Sequence, residues 1–138
     1  MMRLTPLIIM LSLLFFSNHL LAEEEEAEAE VEPKTAAYHA LSPSLLVNLH
    51  TGARYMRCDV QLLSKDDTNL PDIQLHSPAL RHELLLLLGD QKGSEMKTPG
   101  GKEALRKAAL KAVNEVLEKL SGKKEIVNDL FFTSFFVQ

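Results

Sequence analysis

The sequence predicts an α+β domain in which helices pack on a mainly antiparallel sheet, in the order β-β-α-α-β. Three observations carry this. Residues 55–64 alternate apolar and polar side chains at period two. Two later stretches repeat apolar residues at helical spacing, each behind a hydroxyl residue and a proline. The C-terminal stretch is rich in Phe, Val and Ile and has no Pro or Gly.

Length and composition bound the rest. A chain of 138 residues is one domain at most, and 46% hydrophobic with 25% charged residues is ordinary globular composition. Aromatic residues are 6% of the chain and Trp is absent, which weakens a case for base-stacking platforms. A formal net charge of -4 argues against nucleic acid as a partner. The single cysteine, Cys58, excludes a disulfide framework and any Cys-rich zinc site. The charge is unevenly placed. Glu23, Glu24, Glu25, Glu26, Glu28, Glu30 and Glu32 are seven of the 19 acids, so the rest of the chain after them is slightly basic. Such a run stays solvated because repulsion opposes compaction, and it reads as a solubilising linker.

Residues 1–22 carry Arg3, an apolar run over 7–16 interrupted only by Ser12, a polar break at Ser17, Asn18 and His19, and then Ala22. This is the layout of a secretory signal, either cleaved after Ala22 or retained as an anchor at the lower limit of a bilayer span. Both outcomes place the body outside the cytoplasm. The organisation expected is therefore 1–22 signal or anchor, 23–44 Glu-rich linker and 45–138 globular domain.

Within that domain, Leu45, Val47 and Leu49 share one face of a first strand, and the turn at residues 51–54 uses Gly52. Met56, Cys58, Val60 and Leu62 form the apolar face of the second strand, opposite Arg57, Asp59 and Gln61. Leu70, Ile73, Leu80, Leu84, Leu87 and Leu88 mark a helix that starts at Ser77-Pro78, or starts near Pro71 and kinks, and ends at Gly89. Its five consecutive leucines, 84–88, imply burial on more than one side. Thr98-Pro99 opens a second helix whose buried stripe reads as Leu105, Ala109, Ala112, Val116 and Leu120. Ala108, Val113 and Leu117 flank it, and Gly122 stands just beyond its end. Residues 126–137 read as a strand buried on both faces.

The chemistry-bearing residues form no catalytic pattern. His82-Glu83 begins like a zinc-protease helix, but Leu86 occupies the place of the second histidine. His76 and His82, six apart, do not share a helix face. Gly100-Gly101-Lys102 lacks the upstream glycine of a phosphate loop, and Glu103 replaces its hydroxyl residue. Cys58, on the apolar face of a strand, reads as inert packing. The expectation is a non-enzymatic module with no cofactor and no metal.

An ordered set of residues does resemble a known family. Arg81 precedes the leucine run. Lys97-Thr98-Pro99-Gly100-Gly101-Lys102-Glu103-Ala104-Leu105-Arg106 follows, then Val113-Asn114, and the chain closes on Leu130-Phe131-Phe132-Thr133-Ser134-Phe135-Phe136-Val137-Gln138. This resembles the flagellar basal body-associated FliL family over roughly residues 55–138. Arg81, Gly101, Lys102, Glu103, Leu105, Arg106, Asn114, Phe132, Phe135 and Gln138 carry the resemblance. The resemblance implies a periplasmic domain similar to stomatin-type (SPFH) domains, flagellar stator and basal-body proteins as partners, ring-like self-association as a homo-oligomer, and support of motility and chemotaxis. The stator units in question are ion-conducting ones of the MotA/MotB kind. A periplasmic or membrane-associated scaffold of the same fold, unconnected with the flagellum, is the alternative.

Overall fold

The structure, a computed structural model, describes residues 33–138, and Pro33–Gln138 forms one compact unit. The signal or anchor expected over 1–22 and the Glu run at 23–32 lie outside the described residues.

Strand β3 (Tyr55–Ser64) is the axis of an antiparallel four-stranded sheet. Strands β1 (Ala37–Ala40) and β2 (Leu45–Asn48) lie end to end along one edge of it, β1 against residues 61–64 and β2 against residues 55–58. Strand β4 (Asp129–Val137) pairs along the other edge. The sheet thus begins before residue 45, and β1 occupies part of the stretch that reads as linker. Composition hid it: an edge strand of Ala, Tyr and His, half of it exposed, has no apolar alternation to announce it. Both edges of β3 are irregular at the same place. Residues 41–44 span the gap opposite Asp59 and Val60, and Thr133 is an extra residue in β4 between the partners of those two.

Four α-helices follow β3: α1 (Leu70–Leu75), α2 (Ser77–Gly89), α3 (Gly93–Met96) and α4 (Pro99–Ser121). The kink left open by the sequence is real, because α1 and α2 meet at His76 just before Pro78. Thr98 caps α4 by accepting the Gly101 N–H at 3.0 Å, and Gly122 ends it at φ 74°, where a residue without Cβ meets no steric penalty. The core joins Met56, Cys58, Val60 and Leu62 of β3 to Ile73, Leu80, Leu84 and Leu88 of α1 and α2, and to Leu105, Ala109, Val113 and Leu117 of α4.

Three expectations change. The buried row of α4 is the i+4 series from Leu105 to Leu117, while Ala108 is exposed, Leu120 is 50% exposed, and Ala112 and Val116 are half-buried. Two apolar rows compete on this helix, and the sheet selects the one that fits its tilt. The leucine run is not buried all round: Leu84 and Leu88 reach the core and Leu86 is 60% exposed. Residues 126–128 are not strand, and β4 is not buried on both faces. The Thr133 bulge puts Leu130, Phe132, Phe135 and Val137 toward the helices and leaves Phe131, Ser134 and Phe136 on the open face.

Candidate functional site

The residues that carry the family resemblance separate in space into two groups. The first group holds the fold. Arg81, on α2, donates to the carbonyl of Leu41 at 3.0 Å and also bonds that of Pro43, tying the helix to the break between β1 and β2. Leu105 is a core residue. Gly101 lies so close to α3 that a Cβ would stand 2.0 Å from the Glu95 carbonyl oxygen, so only glycine fits. Asn114 bonds both main-chain groups of Val127. Gln138 accepts the Tyr55 hydroxyl at 2.8 Å and exchanges main-chain bonds with Tyr55.

The second group converges. Lys102, Glu103, Arg106, Phe132 and Phe135 line one cleft of about 430 Å³ between the start of α4 and β4, together with Pro99 and Phe131. Arg106 bridges the elements by pairing with Glu103 at 2.7 Å and with Asp129 of β4. The hydrogen bonds that Arg106 donates to the Glu103 carboxylate raise the guanidinium pKa and lower that of Glu103, so both stay charged. Lys102 Nζ sits 5.1 Å from the centroid of the Phe135 ring, in cation–π range. Phe132 and Phe135 meet edge to face at 5.2 Å. Helical spacing places positions 99, 102, 103 and 106 on one face, which is why a single motif supplies one wall.

The open sheet face continues this surface around β4. Arg57 is the direct cross-strand neighbour of Leu46 on one side and of Phe136 on the other, Tyr55 packs on Phe136 at 6.1 Å, and Tyr38 on Phe131 at 6.4 Å. A shallow depression of about 640 Å³ is lined by Leu46, Asn48, Tyr55, Arg57, Ser134 and Phe136. Tyr38 is 58% exposed, Leu46 60% and Phe136 51%, an apolar concentration unusual for an uncovered sheet. Ser44 holds Asp59 by a hydrogen bond and accepts from Arg57 at 3.2 Å. Sequence reading missed this face, because Arg57, Asp59 and Gln61 announce a wet surface. The parity of Phe131 and Phe136 becomes visible only once the Thr133 bulge is known.

Elsewhere, His39 Nε2 lies 2.7 Å from Ser77 Oγ, and burial lowers the imidazole pKa. Cys58 is fully buried, and desolvation, with a smaller contribution from Asp59, raises its thiol pKa to about 12, which suppresses the nucleophilic thiolate. Among the described residues no three His, Cys, Asp or Glu side chains gather as a metal site, and no helix is long and apolar enough to cross a membrane.

Such an arrangement defines an α+β domain whose antiparallel sheet is packed by helices on one face and left open and aromatic on the other. The chain belongs to the FliL family: the family described as "Flagellar basal body-associated protein FliL" matches residues 38–138, from within β1 to the last residue. A curated relative, the flagellar protein FliL of Aquifex aeolicus (strain VF5), is 28% identical over 108 residues, covering 77% of this chain. The chain spans 64% of the length of that relative.

Proposed function

We propose that this protein is a non-catalytic accessory of the flagellar motor that acts by binding at the basal body. Its partners in this reading are the stator units and further copies of itself arranged as a ring. The body sits in the periplasm, behind an N-terminal segment that is cleaved or kept as an inner-membrane anchor, and its fold is related to stomatin-type domains. The observation that carries the reading is the family match over residues 38–138, joined to an exposed aromatic and cationic surface that contains five of the residues carrying the resemblance. Aromatic residues and Arg are the side chains that supply most of the free energy at protein interfaces.

A binding module influences a motor only by favouring one assembled or conducting state of its partner over another. A differential of about 1.4 kcal/mol per subunit shifts such an equilibrium tenfold, and the contributions of several subunits add. Loss of the protein should then weaken torque rather than prevent construction. The test is a deletion strain: reduced swarming or motility in viscous medium, with filaments still assembled, is the expected result. Normal swimming and swarming, with no co-purification of stator or basal-body proteins, would overturn it in favour of a periplasmic or membrane-associated scaffold.

A further inference from the structure

Among the described residues, strand β4 is paired on one side only, by β3. Tyr55 and Gln138 exchange two main-chain bonds, Tyr55 N–H to Gln138 O at 3.0 Å and Gln138 N–H to Tyr55 O at 3.1 Å. In an antiparallel ladder such pairs alternate with pairs whose N–H and C=O groups point away from the partner strand. Phe135 and Val137, opposite Cys58 and Met56, hold those alternate positions, so their main-chain donors and acceptors face the open edge. The bulge at Thr133 confines the regular part of that edge to residues 134–138.

The side chains around this edge say what fits it. Phe132 and Phe135 lie on the helix side of the sheet and Phe131 on the other, yet all three line the same cleft, so the cleft wraps the edge of β4. A strand laid there would send alternate side chains to the two sides. On the helix side the charged groups are Lys102, Glu103 and Arg106 of α4 and Asp129 of β4. Arg106 engages both Glu103 and Asp129, which leaves Lys102 as the cation of the cleft with no carboxylate partner among the described residues. On the open side the neighbours are Phe131 and Phe136, both exposed. A second copy joined edge to edge by two-fold symmetry would bring two Lys102 side chains to one face, which like-charge repulsion opposes.

We infer that the open edge of β4 over residues 134–138 receives a short extended segment of another protein by strand addition. In that segment carboxylates facing Lys102 alternate with aliphatic side chains facing Phe131 and Phe136. Main-chain hydrogen bonds to Phe135 and Val137 supply affinity, and the alternating side chains supply selectivity. This names the chemistry of the partner and rests on the binding reading above.

The probe is a fluorescein-labelled octapeptide of alternating Val and Glu, titrated into the full chain and followed by anisotropy and by amide hydrogen exchange. Two companion peptides replace Glu by Lys or place Pro at the centre. The expected result is saturable binding of the Glu peptide alone, with exchange at the Phe135 and Val137 amides slowed by about tenfold or more, and with affinity lowered by about tenfold or more in Lys102→Glu at unchanged melting temperature. No binding, binding that survives the central proline, or binding indifferent to Lys102→Glu overturns the inference. Slowing of the same two amides by raising the protein concentration without peptide overturns it in favour of a second copy. Swarming of the deletion strain is read separately: reduced swarming with failed peptide binding removes the edge and leaves the motor reading, and normal swarming with peptide binding does the reverse.

Discussion

Asn114, in the middle of α4, holds Val127 by both of its main-chain groups: Nδ2 donates to the Val127 carbonyl at 2.8 Å and Oδ1 accepts the Val127 N–H at 3.1 Å. Val127 is buried and sits between α4 and β4, outside any ladder that would otherwise satisfy it. The amide side chain thus does for residues 126–128 what a neighbouring strand does elsewhere. Asn114→Ala leaves two main-chain groups without partners and should cost about 1–3 kcal/mol in chemical denaturation. Asn114→Asp should lose a similar amount near neutral pH, where a carboxylate oxygen would face the carbonyl. It should recover in part in acid, when the carboxyl can donate.

Two adjacent glycines should behave oppositely. A Cβ on Gly101 would meet the Glu95 main chain at 2.0 Å, whereas a Cβ on Gly100 meets nothing within 4 Å. Gly101→Ala should destabilise by about 1–3 kcal/mol through forced displacement of α3 from α4. Gly100→Ala should raise the melting temperature slightly, because alanine suits a helix by up to about 1 kcal/mol. Equal effects at the two sites would mean that α3 does not pack as described.

The leucine run offers a similar contrast. Leu84 is fully buried against α4 and the sheet, and Leu86, two positions on, is 60% exposed. Leu84→Ala should cost about 2–5 kcal/mol, the range for emptying a packed site. Leu86→Ala should change stability by less than about 0.5 kcal/mol.

Cys58 ties stability to alkaline pH. Burial raises its thiol pKa from 9.0 to about 12, so above pH 9 the unfolded chain releases a proton that the folded chain keeps. Proton binding favours the folded state there, and stability should fall as pH rises from 9 toward 12. Below pH 9 both states hold the proton and the contribution is complete. Denaturant titrations of the native protein and Cys58→Ala should show the decline lessened in the variant, and native Cys58 should resist thiol reagents at neutral pH.

The hairpin from Leu45 to Ser64 was legible because one face of each strand is packed and the other wet, so alternation survives in the residues. The start and end of α4 were legible because Thr98 and Gly122 do their capping locally. The phase of α4 was not, since Ala, Val and Leu occupy two adjacent rows and only the partner surface distinguishes them. Nor was the sidedness of β4, where a one-residue bulge reverses the parity of every later side chain. At the candidate site, the α4 wall of Lys102, Glu103 and Arg106 could be read from helical spacing. Asp129, Leu46, Arg57 and Phe136 joined the surface through sheet register, which depends on contacts distant in sequence.

Phe136 offers the most direct measurement of whether the protein serves the motor by binding through this surface. The side chain is 51% exposed and packs on Tyr55 across the open face rather than in the core, so Phe136→Glu should leave the fold intact while placing a charge in the apolar patch. The swarming rate of a strain carrying this substitution, measured with protein abundance and melting temperature, should fall to that of the deletion strain while both controls stay at their normal values. Swarming at the unsubstituted rate, in a strain whose Phe136→Glu protein is folded and normally abundant, would contradict it.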